Sequence, residues 1–197
     1  MRNHFVLPIF ALSIAFSMSL LFGSVQAAQT GSAVAPAMPV VVIGDFSDRV
    51  REYVKLRKNV EDSFTGVTSS RESERLATHK VELAQMVVAA RPEARQGDIF
   101  TPEITSRFCE IIRKTIQAPG SQAVHRTIQD KEPAAVIPLR VNNAYPEDYP
   151  LQTMPPTLLG RIPDLPADMA YRIIGRSLVL LDNKTRLIID LIPDAVP

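Results

Sequence analysis

The chain has 197 residues, with 22 Lys and Arg against 21 Asp and Glu, a formal net charge of +1 at pH 7, and 46% apolar residues. That balance supplies no long-range field to hold nucleic acid or an anionic membrane, which argues against a general nucleic-acid-binding protein. The single cysteine, Cys109, excludes an intrachain disulfide, so stability has to come from packing.

Residues 1–27 carry one charge, Arg2, then an apolar run from Phe5 to Phe22, then Val25-Gln26-Ala27. A basic start, an apolar middle and small residues before a cut are the order of a cleavable export signal, with cleavage after Ala27. Pro8 interrupts the run, Ser13, Ser17 and Ser19 dilute it, and no cluster of Lys or Arg follows, which argues against a retained membrane anchor. No cysteine lies near the cut to take a lipid. The protein is therefore expected to be exported, periplasmic or extracellular, with 170 residues left after cleavage and 21 charges of each sign among them.

Residues 28–43 read as a disordered leader of small and polar residues ending in Val40-Val41-Val42-Ile43, whose β-branched side chains predict a short strand or an extended docking segment. Val42-Ile43-Gly44-Asp45 resembles the start of the GDSL-type esterase motif. Phe46 occupies the nucleophile position of that motif, Ser47 is one place late, and the later Asp-x-x-His block has no counterpart.

Residues 44–132 form a helical region. Ser47 is the expected cap of a first helix reaching about Asp62, with Phe46, Val50, Tyr53, Val60 and Phe64 on one stripe. Arg57 lies inside that stripe. It is expected to snorkel to solvent or to pair with a carboxylate on a neighbouring helix, with buried anion binding as the functional alternative. A turn over Ser63 to Thr68 separates a second helix, opened by the capping box Ser69-Ser70-Arg71-Glu72 and stopped at Arg91 by Pro92. Leu76, Leu83, Val87 and Ala90 form its stripe, and Ala77, Val81, Ala84 and Val88 widen it, so more than one neighbour is expected to cover it.

The loop from Arg91 to Phe100 leads into a third helix with Thr101 as N-cap, Pro102 at the first position and Glu103 at the positive end of the dipole. Arg91, Arg95 and Asp98 are binding candidates on that loop. Ile104, Phe108, Ile111, Ile112 and Ile116 keep the helical period until Pro119-Gly120. Cys109 lies about two turns inside this helix, where nothing lowers a thiol pKa, and reads as a half-buried structural thiol. A short fourth helix is expected from Ser121 to about Asp130.

Eleven of the 16 prolines lie from Pro119 onward. Residues 133–168 read as a proline-rich strap or linker, and Tyr145, Tyr149, Met154 and Leu158-Leu159 favour a strap packed on the helices. Asp164 and Asp168 are expected caps or turn formers. Residues 169–197 predict an antiparallel meander: Tyr171-Arg172-Ile173-Ile174, a turn at Gly175-Arg176, Leu178-Val179-Leu180-Leu181, a turn at Asp182-Asn183-Lys184, and Leu187 to Ile192.

The run from Leu165-Pro166 through Tyr171-Arg172, Gly175, Leu178-Val179-Leu180-Leu181-Asp182 and Ile188-Ile189-Asp190 resembles the terminal meander of periplasmic nickel and cobalt homeostasis (RcnB-type) proteins. The chain as a whole resembles exported hypothetical proteins of bacteria. The resemblance implies a local fold and a compartment, and it carries no metal site across.

Three or four His, Cys or carboxylate ligands are needed for a Zn²⁺ or Ni²⁺ site, and after cleavage the chain offers His79, His125 and Cys109, well separated in sequence. His79 with Glu82 or His125 with Ser121 is raw material for acid–base chemistry but lacks a third, orienting group. The expectation is an exported, soluble α+β protein that uses no cofactor and acts by non-catalytic binding to a protein or cell-envelope partner. The alternatives are a hydrolase whose site assembles only in the fold, and periplasmic divalent-metal handling.

Overall fold

Val42, Phe46, Val50, Tyr53 and Arg57 recur at the spacing that places side chains on one helical face, and in the computed structural model they line α1, Val40–Phe64. The structure describes residues 38–64, 72–129, 138–147 and 154–197. The expected signal peptide, most of the leader, the capping box at Ser69 and the Tyr149 part of the strap lie outside them.

The strand expected over Val40 to Ile43 is instead the first turn of α1, with Ile43 N–H donating to Pro39 O at 3.1 Å. Ser47 consequently sits inside the helix and does not cap it. The reason is packing: Val42 is buried on the same face as Met38 and Phe46, and that burial outweighs the few tenths of a kcal/mol by which β-branched residues disfavour helix. The same geometry removes the esterase likeness, since Gly44 and Asp45 are helical and form no strand-to-helix elbow.

The second helix, α2, is Glu72–Ala90 and ends just before Pro92. Leu83, Ala84 and Val87 are buried, whereas Val81 is 57% exposed. Only part of the broad apolar face is covered. The third helix, α3, is Pro102–Gln117, with Ile104 N–H reaching Thr101 Oγ1 at 3.5 Å and Ile104, Phe108, Ile111, Ile112 and Ile116 buried. A short α4, Gln122–Gln129, follows.

The described parts of the strap are packed. Tyr145, Met154, Leu158 and Ile162 are buried, and α5, Pro156–Leu159, is a single turn that inserts Leu158. The meander comprises β1, Met169–Ile174, β2, Ser177–Asp182, and β3, Ile188–Ile192, antiparallel in the order β1-β2-β3. Tyr171 faces Leu180 and Leu180 faces Asp190, with an irregularity between Leu180 and Leu181.

Period-2 alternation gives the sheet two apolar faces. Met169, Tyr171, Ile173, Leu178, Leu180 and Ile189 join the helices in the main core. Phe46, Phe100, Phe108 and Tyr171 meet there at centroid separations of 5.3 to 6.2 Å, the range of favourable aromatic pairs. Ile174, Val179, Leu181, Ile188 and Leu191 point the other way and are covered by Tyr145, Leu139 and Val141 of the strap. The arrangement is α+β, with the helices and the Met154 to Ile162 part of the strap on one face of the sheet and the Leu139 to Tyr145 part on the other.

Candidate functional site

Arg57 is 3% exposed and pairs with the sheet side of the molecule, which corrects the expected partner on a neighbouring helix. Its Nη1 donates to Asp182 Oδ1 at 3.0 Å and its Nη2 to Asp168 Oδ2 at 2.9 Å. Asp182, fully buried at the end of β2, also accepts from Tyr53 Oη at 2.6 Å and from Lys184 N–H at 2.9 Å. Asp168 therefore does more than form a turn: it completes a carboxylate clamp on Arg57. The clamp arises because the α1 stripe lies across the ends of β1 and β2.

Burial, then the adjacent Asp182 carboxylate, raises the Tyr53 hydroxyl well above its ordinary pKa. Burial pulls Arg57 down, but Asp182 and Asp168 outweigh it and leave the guanidinium more basic than usual. A neutral tyrosine, a charged arginine and a carboxylate with three donors form a buried network of the kind that ties elements together, with Arg57 Nε as its one buried donor lacking a partner among the described residues.

Arg91 stacks on the Tyr53 ring at 5.2 Å and its Nη2 donates to Ile189 O at 3.3 Å. Burial lowers its pKa. Asp98 is near enough for its charge to act on Arg91, whereas Arg95 points away and pairs with the exposed Glu93 at 3.3 Å. Asp98 Oδ2 accepts from Arg95 N–H at 2.7 Å, closing the exposed turn. That loop is held by Asp190, a fully buried residue the sequence reading missed. Asp190 accepts from Gly97, Ile99 and Phe100 N–H at 2.8 to 2.9 Å and from Leu191 N–H at 2.8 Å. A lone carboxylate inside the apolar run Leu187 to Ile192 was the available signal, because buried carboxylates demand donors.

His79 is half-buried on α2, and the side chain of His125 on α4 lies outside the described ones. The half-buried Cys109 has its thiol pKa pushed up by burial. Among the described residues no three His, Cys, Asp or Glu side chains are grouped to hold a metal.

The uncovered flank of α2 instead borders a cleft of about 470 Å³. Its other wall is a short ribbon in which Ala144 bridges Leu187, Asn142 N–H donates to Ile188 O at 2.8 Å and Tyr145 N–H to Arg186 O at 2.7 Å. Val81, Ala84, Val88, Ala89, Ala144 and Leu187 supply apolar lining, with Lys80, Glu147 and Arg186 as charged members.

Lys80 Nζ meets Glu147 Oε1 at 2.8 Å. That hydrogen bond and the Lys80 charge, with a smaller part from Arg186, hold the Glu147 carboxyl below the usual carboxylate range. Arg186 donates through Nε to Tyr145 O at 3.0 Å and through Nη2 to Pro146 O, and its guanidinium lies over the Tyr145 ring at 5.3 Å.

Two lining residues hold left-handed backbone, Asn142 at φ 66° and Arg186 at φ 55°. Asn adopts this region readily, whereas for Arg it costs about 1 kcal/mol. Neither Val81 nor Arg186 was recognisable as a cleft residue from spacing alone, although the excess apolar width of α2 was a usable sign.

No protein-family model, no curated protein and no solved structure matches the chain.

Proposed function

We propose that the protein is exported on the signal formed by residues 1–27 and acts afterwards as a non-catalytic binding protein, with the cleft between α2 and the 142–147/185–187 ribbon as its binding site. The observation that carries the reading is the uncovered apolar flank of α2, where Val81 stays 57% exposed beside a concave, charge-rimmed wall. Exposed apolar surface in a concave setting marks places where proteins bind. Supporting it, the buried carboxylates Asp182 and Asp190 have their oxygens engaged by donors that hold the fold. Acid–base work needs a carboxylate within reach of a substrate proton.

A photo-crosslinking side chain placed at Val81, with the exposed Arg113 position on α3 as control, tests the site in cells that export the protein. A discrete adduct from Val81 and none from Arg113 is expected. Equal labelling from both positions, or none from either, overturns the reading. N-terminal sequencing of the exported material tests cleavage, and a first residue other than Ala28 overturns the assigned cut.

A further inference from the structure

We propose that the cleft takes an anionic amphiphile, with an aliphatic body of about ten carbons lying along α2 and a single anionic head at Arg186, a ligand size that suits an ordinary small-molecule cavity. The inference rests on the reading of the cleft as the binding site and adds the chemistry of its occupant.

Size and lining set the body. The cavity holds about 470 Å³, and Ala84, Ala89 and Ala144 keep it open where larger side chains would close it. An aliphatic chain there would cover Val81 and remove apolar surface from water on both partners.

Charge sets the head. Lys80 is neutralised by Glu147 across the 2.8 Å pair. Arg186 has no carboxylate within ion-pair distance among the described residues. Its Nε and Nη2 are engaged by neutral carbonyls, and among the described residues no acceptor is shown for Nη1. Three charges on the cleft therefore sum to a net +1 beside an apolar channel, with Lys80 taking the direct contact to Glu147 and Arg186 acting on it only at longer range. A guanidinium fixed in orientation by two carbonyls and an aromatic face is prearranged for a carboxylate or sulfate oxygen.

The backbone adds an independent observation. Arg186 closes the loop between β2 and β3 in left-handed conformation, at the kind of hairpin position where glycine is the usual residue. An arginine there works against local stability. Strain of this sort, kept at the wall of a cavity, is a sign that the side chain serves a purpose at that place.

The test is titration of the chain, purified as the exporting cell processes it, with decanoate, decan-1-ol and decyltrimethylammonium, each below its micelle concentration and followed by calorimetry. Decanoate is expected to bind one to one and about tenfold tighter than either of the others, the effect of one charge-assisted contact. Arg186→Gly relieves the left-handed backbone, so it is expected to fold and to lose that preference. Ala89→Trp, on the exposed side of α2, fills the channel and is expected to block all three ligands.

Equal affinity for the three head groups overturns the proposal, as does a preference that survives Arg186→Gly or binding that survives Ala89→Trp. A Val81 crosslink to a partner in a protein that ignores decanoate sinks the amphiphile and leaves the binding reading standing. Loss of both results removes both.

Discussion

At the scale of single residues the structure turns on three carboxylates, Asp168, Asp182 and Asp190. The Asp182→Asn substitution leaves Arg57 buried with only Asp168, and the loss is expected to be about 3 kcal/mol by urea denaturation, the lower end for breaking a buried pair. Adding Arg57→Met to it should recover part of that loss, because the stranded charge is gone.

Two tyrosines set the alkaline limit. Tyr53 and Tyr171 both have pKa values raised, chiefly by burial and secondarily by Asp182 and Asp164 respectively. A phenol whose folded pKa lies above its unfolded value stabilises the fold fully below about pH 10 and loses that contribution as pH rises further, by about 1.4 kcal/mol per pH unit for each group. Denaturation at pH 8, 10 and 11 should show this decline, and Tyr53→Phe should flatten it. Unchanged slope in the variant would remove Tyr53 as a cause.

Asp190 was legible in principle as the only charge in an apolar strand. Asp182 was hidden because Asp before Asn is also ordinary turn chemistry.

Among the elements, α1 departs most from its sequence reading. The run Val40 to Ile43 was expected to be extended, yet Gly44 follows it inside the helix with open space where a Cβ would stand. Gly44→Ala is therefore expected to stabilise the protein by about 0.5–1 kcal/mol, read as a rise in urea midpoint. A strand or elbow at this place would give the opposite sign. The third helix was readable end to end because its signals are local: a Thr cap, a proline at the first position, an isoleucine stripe and a Pro-Gly stop. The meander was readable for the same reason.

The α2 helix was half readable. Its width announced a second neighbour, but which of its flanks stayed uncovered depends on where the ribbon of residues 142–147 docks.

For the whole molecule, packing and the buried polar networks have to carry stability without an intrachain disulfide. The one cysteine is half-buried on α3, so a reductant is expected to shift Tm by less than about 1 °C, since no bridge constrains the unfolded chain. A larger shift would point to an intermolecular disulfide. The two sheet faces divide the work, with the helices and the later strap residues Met154, Leu158 and Ile162 covering one and Leu139, Val141 and Tyr145 the other. Tyr145→Ala should accordingly expose the second face and cost about 3–5 kcal/mol, seen by denaturation together with faster hydrogen exchange at Ile188.

Composition, periodicity and turn chemistry were enough to give the fold class, the helical stripes and the three strands, because each is written within a few residues by spacing and by proline, glycine and capping side chains; they left residues 133–168 as a strap or a linker. Tertiary structure alone decided what Arg57 meets, since its partners stand 111 and 125 positions away. It also decided that the loop at Gly97 hangs on Asp190 and that Arg186 lines a cleft. Those outcomes follow from the angle at which helices and ribbon settle on the sheet, and no local pattern in the chain records an angle.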